Sequence, residues 1–479
     1  MHRAIGNLSQ LCRRRIPFRP ARADSVALLT AGIFSATVLA AVPAGKPASQ
    51  HVPQMSYIEN QTLRLGVDLN LGGAITYLSP AGTNRELNLI NTHDWGRQVQ
   101  LSYYSGPVPF NPPGTRMSKA WEFIGWNPIQ SGDCYGHESR VVKHTNHGRS
   151  IYVKCVPMHW PLDNLPGECE CEVWLELSGP AVKARCRLTN HRPDKTQYSA
   201  RHQELPAVYV NGPFYRLMTY TGERPFSGDA LTRIEKRTGE PGPWSQWVGT
   251  ENWAAQVNDA GWGLGVWNPG AFEFTGGFAG RPGAGGPLDD PTGYIAPIRA
   301  EILDHNIVYD YVYELILGSL EEVRAYVYQH HATPKLPVFQ FVRDRQGWFY
   351  RDGTDTGWPI RRQLEIPLEK AAPQVLSPVF LVKAQDAPKL KLEAAFNSGN
   401  KDSAEAGVTV FWRRLGQASF TTEQSLKVPI RSDGRFKQYL VDLARSPRYD
   451  GLITQLRLDP APVGQPGSHF RLKSVSFGR

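Results

Sequence analysis

Polar and apolar residues alternate over many short stretches of this 479-residue chain, and this period of two constrains the fold most strongly. In the segments 62–69, 170–177 and 182–188, every second residue is apolar. Such alternation is typical of antiparallel strands with one buried face. The 45 glycines and 38 prolines include turn clusters between these stretches. The sequence therefore predicts an all-β protein with one short helix, at 319–328.

The N-terminal 41 residues have the pattern of a secretory signal peptide. Six arginines and no acidic residue occur in 1–22, and no charged residue occurs from 25 to 45. The small residues Ala40 and Ala41 suit a cleavage site. An uncleaved anchor helix is the alternative, although this stretch is barely long enough to span a membrane. We therefore expect a secreted or periplasmic protein with no membrane contact beyond the export signal.

The net charge argues against nucleic acid as a partner. The whole chain carries +9, but its first 41 residues hold six arginines and one aspartate, so the remainder carries about +4. No Lys/Arg run occurs outside the leader, and nucleic-acid binding is not predicted. An acidic glycan remains compatible with this mild excess of positive charge.

Five cysteines remain after the leader, and they are clustered within 53 residues. In an exported protein this clustering predicts one or two disulfides with one thiol left over. The Cys-x-Cys spacing at 169–171 does not match a zinc ribbon, so no metal site is predicted. The five cysteines are Cys134, Cys155, Cys169, Cys171 and Cys186.

The chain divides into two bodies at a polar, proline-containing stretch. We predict a large antiparallel domain over residues 55–335, a linker over 336–359, and a smaller β-sandwich over 360–479. No repeat of fixed period interrupts this organisation.

The first body resembles the galactose-mutarotase-like β-supersandwich family. The resemblance rests on the opening hairpin at 63–78, with its Gly72-Gly73 pair, and on the segment 88–98. It implies a β-supersandwich, a carbohydrate ligand and a sugar-binding role for Arg97. The family's His-x-x-Tyr-Phe-Asn-Leu element is absent, so simple aldose 1-epimerase activity is not implied.

The second body resembles the jelly-roll accessory modules of polysaccharide-active enzymes. The points of resemblance are the Asp433-Gly-Arg turn, the strand 439–443 and the segment 451–460, which reads Gly-x-Ile-x-x-Leu-Arg-Leu-Asp-Pro. The resemblance implies carbohydrate binding by residues 360–479. A second sandwich that only stabilises the first is the alternative, because a sandwich fold does not determine function.

The densest group of ionisable residues lies on a predicted strand at 198–209. His202 and Glu204 share one face of that strand by the period of two, while Arg201 lies on the other. A histidine beside a carboxylate suits acid–base chemistry near neutral pH. We therefore predict catalytic roles for His202 and Glu204 and substrate binding by Arg201, against the simpler interpretation of a solvated ion pair.

Two further segments supply candidates. One combines a carboxylate, an amide and indoles, which together suit sugar hydroxyls and the apolar face of a sugar ring. Its candidates are Glu251 (catalytic), Asn252, Trp247 and Trp253 (substrate-binding). The other candidates are Asp94 (catalytic), His93, Arg97, Tyr103 and Tyr104 (substrate-binding). We expect at least three residues of one set to converge on one concave face of the first body: His93 or Asp94, Arg97, His202, Glu204 and Glu251.

Three classes of function follow. The first is a carbohydrate-active enzyme on an oligo- or polysaccharide, either a hydrolase that pairs Glu204 with Glu251 or Asp94, or a lyase. A lyase would use His202 and Tyr104 with Arg97 or Arg201. The second class is a glycan-binding protein without chemistry, and the third is a structural envelope protein. No nucleophilic-serine, zincin, EF-hand or P-loop motif occurs, and no cofactor is predicted.

Overall fold

The computed structural model describes residues 51–82, 87–236, 242–333, 335–369, 372–398 and 406–479. The predicted signal peptide, 1–41, lies outside these residues. The all-β prediction is confirmed, since 48% of the structure is strand and 6% is helix, in several antiparallel sheets. Among the described residues, no helix has the length and apolar character needed to cross a membrane.

Two large sheets form the first sandwich. In sheet I the strands run in the order β1-β2-β3-β4-β11-β18-β17-β14, with β5 and β8 beside β4. Its strands are β1 Met55–Glu59, β2 Leu63–Asp68, β3 Ala74–Pro80, β4 Val99–Ser102, β5 Pro128–Ile129, β8 Met158–His159, β11 Arg201–Asn211, β14 Trp244–Val248, β17 Glu273–Ala279 and β18 Thr292–Glu301.

Sheet II covers one face of sheet I. Its order is β13-β12-β15-β16-β19-β10-β9-β7-β6. Its strands are β6 Arg140–Asn146, β7 Ser150–Val156, β9 Cys169–Ser178, β10 Ala181–Asn190, β12 Arg216–Thr219, β13 Thr232–Arg233, β15 Trp253–Val257, β16 Trp262–Trp267 and β19 Val308–Ser319.

The apolar side of each alternating strand fills the space between these two sheets. On β2, Leu63, Leu65 and Val67 are fully buried in one cluster with inward residues of β10 and β19. The opposite face of sheet I is therefore free to carry a site, because the hydrophobic requirement of its strands is met on one side.

Two smaller sheets form a second sandwich with its own hydrophobic cluster. Sheet III has the order β20-β30-β25-β28 with β22 beside β30, and sheet IV has the order β21-β23-β29-β26-β27 with β24 beside β29. The strands of sheet III are β20 Val338–Gln340, β22 Leu364–Pro367, β25 Lys389–Asn397, β28 Lys437–Asp442 and β30 His469–Gly478. Those of sheet IV are β21 Phe349–Arg351, β23 Gln374–Leu376, β24 Val382–Lys383, β26 Ala406–Arg414, β27 Ser425–Ile430 and β29 Leu452–Ala461.

The segment 336–359, predicted as a linker, belongs to the second sandwich. It contains β20 and β21, and Trp348 between them is fully buried in the second hydrophobic cluster. The polar composition of this segment did not indicate a linker, because two of its charged residues, Arg345 and Asp355, belong to a buried ion-pair network. Arg345 binds Asp304 at 2.6 Å and Asp355 at 2.6 Å, and both carboxylates are almost fully buried. Gln197 donates to both aspartates, so the network ties the second sandwich to the first.

The short helix is where the sequence predicts it. Helix α1, Leu320–His330, begins with a capping box in which the Ser319 side chain accepts from the Glu322 backbone N–H, and the Glu322 side chain accepts from that of Ser319. Such a box satisfies two backbone donors that the first turn leaves open. The helix packs on sheet II through Val323, Tyr326 and Val327.

The disulfide prediction is wrong for this structure, because all five described cysteines are free thiols. Cys155, Cys169, Cys171 and Cys186 occupy inward positions of sheet II and fill the core as small apolar residues. Burial raises the pKa of the Cys134 thiol to about 12. A thiol that stays protonated is a poor nucleophile, so the cysteines pack rather than react.

Candidate functional site

The outer face of sheet I, turned away from sheet II, carries the candidate site. In β11 the alternation is broken after Glu204, where the register shifts against both neighbouring strands. Pro206 lies in this bulge and has no N–H for the ladder. Bulges re-aim side chains and are common beside functional sites. Here the bulge leaves Glu204 on the outer face beside Ala207 and Tyr209, which pack in an apolar strip on that face.

Hydroxyl groups hold the Glu204 carboxylate. The Tyr104 hydroxyl donates to its Oε2 at 3.0 Å, the Tyr294 hydroxyl donates to its Oε1, and Ser102 lies directly opposite Glu204 in the ladder. No lysine, arginine or histidine pairs with Glu204 in the described part of the chain. A buried carboxylate without a cation is costly to ionise, so this environment favours the protonated acid.

The pKa directions agree with this geometry. Burial raises the pKa of Glu204, and the hydrogen bonds from Tyr294, Tyr104 and Ser102 only partly oppose that effect. Burial and then the charge of Glu204 raise the pKa of Tyr294 and of Tyr104 well above that of a free phenol. Both phenols therefore stay protonated and donate, while the carboxyl holds its proton at a higher pH than an exposed glutamate does.

Aromatic rings extend from Glu204 across the sheet. The Tyr209 and Tyr294 rings stack with centroids 4.7 Å apart, and Trp244 lies 4.9 Å from Tyr294. Trp244 pairs with Gly277 of β17, where an added Cβ would lie 3.2 Å from the indole. The glycine thus leaves room for the indole to lie over the neighbouring strand. Trp244 and Tyr209 are only half-buried, which leaves aromatic surface open to a ligand. We call Glu204, Tyr104, Tyr209, Tyr294 and Trp244 the Glu204 site.

A second carboxylate lies in the same row of side chains. Glu273 pairs with Ile298, Ile298 pairs with Glu204, and Glu204 pairs with Ser102. Directly opposite residues of antiparallel strands share a face at about 5 Å between Cα atoms, so the Cα atoms of Glu204 and Glu273 lie about 10 Å apart. The Glu273 side chain is 26% exposed. The row therefore places two carboxyl groups on one open face.

His202 and Asp94 lie toward the two ends of this face. His202 pairs with Ala300, which packs against the second hydrophobic cluster, and it forms no hydrogen bond among the described residues. Asp94 binds Arg97 at 3.0 Å, and their charges act in opposite directions on the pKa of Tyr209. Arg97 also binds Asp290 at 2.9 Å. Its guanidinium is therefore already paired.

Glu251 and its neighbours are not part of this site, which corrects the predicted roles of three residues. Glu251 is fully buried and binds Arg324 of α1 at 3.0 Å, while Tyr328 and the Trp253 indole also donate to it. Trp253 is fully buried between sheet II and the helix. Asn252 is a turn residue with φ of 62°, and its amide donates to the Ala271 carbonyl. Glu251 and Trp253 therefore stabilise the packing of α1.

Two predicted walls of the cleft are core residues instead. Tyr103 is fully buried between sheets I and II, and Trp247 stacks on Phe274 in the same cluster. Both side chains alternate along the chain with side chains of the outer face, and so they point into the core. The sequence alone shows this alternation but does not show which of the two faces is buried. Arg201 donates to the backbone carbonyls of Ser105 and Ile124, and His93 bonds the Leu288 carbonyl at 2.9 Å. Of the predicted charged residues, the structure places Glu204 at the centre of the open face, with His202 and Asp94 toward its ends.

The sequence analysis missed Trp244, Tyr209, Tyr294, Ser102 and Glu273. Tyr209 ends the segment that contains His202 and Glu204. Its place in that segment was the one sequence feature that could have indicated a site residue. The others come from strands that meet β11 only through tertiary pairing.

No protein-family model matches the chain, and no curated protein matches it. Among solved structures, a galactose mutarotase related enzyme from Lactobacillus acidophilus covers 56% of this chain and 98% of its own, at 12% identity and a TM-score of 0.33. A galactose mutarotase-like protein from Lactobacillus casei covers 55% of this chain and 99% of its own, at 12% identity and 0.34. A low-affinity xylan-binding module from Roseburia intestinalis covers 30% of this chain and 96% of its own, at 13% identity and 0.22.

Proposed function

We propose that the chain is an exported glycoside hydrolase that binds an oligo- or polysaccharide on the outer face of sheet I. The observation that carries the proposal is the Glu204 carboxyl, which is held by hydroxyl groups, lies next to open aromatic surface and pairs with no cation among the residues that the structure describes. Export rests on the pattern of residues 1–41.

The chemistry follows from two carboxyl groups in different environments. Glu204, with its raised pKa, donates its proton to the glycosidic oxygen as the bond to the anomeric carbon breaks. Glu273, which is more open to water, takes a proton from the water whose oxygen forms the new bond to that carbon. Two carboxyl groups that leave room for a water molecule between them give inversion of configuration. The Trp244 and Tyr209 rings stack on the apolar faces of the sugars.

The lyase alternative is less well supported by the same contacts. A lyase needs a base and a cation that neutralises the uronate carboxylate. Arg97 is already paired with Asp94 and Asp290, and Arg201 donates to backbone carbonyls. Burial and the charge of Glu204 raise the pKa of Tyr104, so its phenol is a poor base. Tyr104, Arg97 and Arg201 are therefore occupied or protonated, and of the residues predicted for a lyase only His202, toward one end of the face, is left.

The test is a panel of oligo- and polysaccharides incubated with the protein, with reducing ends and the ultraviolet absorbance of unsaturated products measured in parallel. We expect new reducing ends without unsaturated products. Glu204→Gln should abolish this release, while Glu321→Gln, an exposed change on α1, should leave it unchanged. Unsaturated products would show a lyase instead. Tight glycan binding with no product, in the wild type, would leave a binding protein without chemistry. Activity that survives in folded Glu204→Gln would refute the assigned role of Glu204.

A further inference from the structure

One face of sheet IV, the face turned away from the second hydrophobic cluster, carries two arginines on adjacent strands. Phe411 and Arg413 of β26 lie on this face because the residues between and beside them belong to the cluster. Arg457 and Asp459 of β29 lie there for the same reason. Phe411 is directly opposite Arg457 in the ladder. We call these four residues the arginine face.

Arg413 is a largely buried cation that makes few compensating contacts with the described residues. Its side chain is 17% exposed, and the Glu273 carboxylate is 4.0 Å from its Nη2. Its hydrogen bond to the Ala418 carbonyl is 3.5 Å long. Its Nε is buried and forms no hydrogen bond within the described residues. A guanidinium has five N–H donors, and one of those of Arg413 makes a hydrogen bond to the described residues.

Arg457 has the same deficit. Its guanidinium carbon lies 3.8 Å from the centre of the Phe411 ring, and its Nη2 binds Asp459 at 2.9 Å. Its Nε is also buried without a partner, as is Oδ1 of Asp459. The arginine face therefore combines unused N–H donors with one unused carboxylate acceptor among the described residues.

The charges around Arg413 also indicate that this cation is incompletely compensated. Burial lowers the pKa of Arg413, Glu273 opposes that effect, and the charge of Arg351 adds to it. Burying a cation costs several kcal/mol unless an anion and hydrogen bonds compensate it, and buried polar groups without partners are rare in native structures. A bound anion would supply what this face lacks.

The arginine face combines guanidinium groups with a carboxylate, and this combination limits the class of anion that can bind. Planar guanidinium groups match the two oxygens of a carboxylate. Asp459 and Glu273 repel any anion, but an anion that also carries hydroxyl groups can donate one to the Asp459 carboxylate, whose side chain is 31% exposed, and this hydrogen bond offsets the repulsion. Uronic acids have both groups on one ring.

The position of this face connects it to the Glu204 site. Glu273, which approaches Arg413, is the same residue that shares a row with Glu204 on sheet I. A chain of sugars crossing that row would reach the arginine face at the Glu273 end. The second sandwich would then contribute directly to recognition of the substrate.

We propose that the arginine face binds the carboxylate of a uronic acid residue in the polysaccharide that the Glu204 site cleaves. This inference rests on the proposed function and names its substrate class. It assigns Arg413 and Arg457 to binding and Asp459 to a neighbouring sugar hydroxyl.

The test compares acidic polysaccharides with their carboxyl-reduced forms, which keep the same backbone and linkages but lack the charge. Polygalacturonate, alginate and hyaluronan serve as probes, with carrageenan as a sulfated polymer, and binding to the full chain is measured by titration calorimetry. We expect at least one acid form to bind about tenfold more tightly, or better, than its reduced form, as hydrogen bonds to charged groups imply. Arg413→Met should remove this preference.

Arg414→Met is the matched control, because Arg414 is the next residue of β26 and its guanidinium pairs with Asp450 instead. It should keep the preference for the acid form. Arg413→Lys keeps the charge but loses the planar fork, and it should retain only part of the preference. Melting curves show which variants are folded. If Arg413→Met is unfolded, Arg457→Gln and Arg413→Lys carry the test.

Failure of this inference is distinguishable from failure of the proposed function. Equal binding of acid and reduced forms, binding of carrageenan alone, or an unchanged preference in folded Arg413→Met would each overturn the uronate site. Glu204→Gln should keep the preference while losing activity. If the preference is present but no polysaccharide is cleaved, the hydrolase proposal fails and the uronate site stands.

Discussion

Replacing Arg345 with methionine tests how the two sandwiches are joined. Arg345 is 5% exposed, and it binds Asp304 at 2.6 Å and Asp355 at 2.7 and 2.6 Å through Nε and Nη2. Methionine keeps much of the apolar stem but leaves two buried carboxylates without their cation. Breaking a buried ion pair from one side costs about 3–5 kcal/mol, a large part of the roughly 5–15 kcal/mol that stabilises a typical protein.

The size of the melting shift reports on cooperativity. With an unfolding entropy of about 2 cal/mol/K per residue, a loss of about 4 kcal/mol lowers the midpoint by about 5 °C if roughly 400 residues unfold together. The same loss lowers it by about 14 °C if only the roughly 140 residues from β20 onward unfold as a unit. Calorimetry should therefore show one of two results. Either a single transition has its midpoint lowered by about 5 °C, or a separate transition of the second sandwich has its midpoint lowered by about 14 °C.

The pH dependence gives an independent check. Burial raises the pKa of Asp355, but the hydrogen bonds and charge of Arg345 outweigh this effect and lower it. In the wild type this aspartate therefore contributes stability above the ordinary aspartate pKa, and the contribution is lost as pH falls through the lowered value. Without Arg345, the hydrogen bonds from Gln197 and Gly357 still oppose the effect of burial on the pKa of Asp355, but the loss of the cation moves that pKa upward. The variant therefore loses less stability than the wild type as pH falls. The difference between the two proteins should shrink toward acidic pH.

Arg343→Met is the matched control, since Arg343 lies two residues away on the exposed side of the same segment. It should change the free energy of unfolding by less than about 0.5 kcal/mol. Adding Asp304→Asn and Asp355→Asn to Arg345→Met should recover part of the loss, because the uncompensated charges are gone. Equal melting of the two single variants, or a deficit that grows at low pH, would refute the reasoning.

Two further predictions concern the carboxylates of the first sandwich. Glu251→Gln should lower the free energy of unfolding by about 3–5 kcal/mol without changing the specific activity of the folded protein, because Glu251 serves α1 and not the open face; thermal melting and the reducing-end assay check both. For Glu204, a raised folded pKa means that wild-type stability falls as pH rises from the ordinary glutamate pKa to the raised one. Urea titrations should show that fall weakened in Glu204→Gln, and an unchanged pH profile would contradict the assigned environment.

Much of the fold was predictable from local pattern. The alternation in β2, β9 and β10 assigns their inward residues correctly, and Ser319 with Glu322 forms the capping box at the start of α1. Such features depend on neighbours within a few residues. The predicted linker failed because the charged residue Arg345 has partners about 40 and 10 residues away, and local composition does not reveal them.

The site was less predictable because it depends on which face of each strand is buried. Trp244 and Trp247 lie on one short strand, three residues apart, and therefore on opposite faces. The sequence analysis chose Trp247, which is in the core, and passed over Trp244, which is on the open face. No sequence feature marked Glu273 as a site residue. Only the register of β17 against β18, and of β18 against β11, brings it into the same row of side chains as Glu204.

The contrast between Glu204 and Glu251 shows what distinguishes a candidate acid from a structural one. Both are carboxylates that accept hydrogen bonds beside aromatic rings, and the sequence analysis predicted a catalytic role for each. Glu251 has a guanidinium partner, which pays for its burial, and it is closed off by a helix. Within the described part of the chain, the donors to Glu204 are neutral hydroxyl groups, so its proton is held more tightly, and it stays partly open to the outer face. A carboxyl that is costly to ionise yet within reach of solvent is poised to give up a proton to a ligand, whereas a paired and sealed one is not. The difference lies in the partners, and those come from strands and helices distant in the chain.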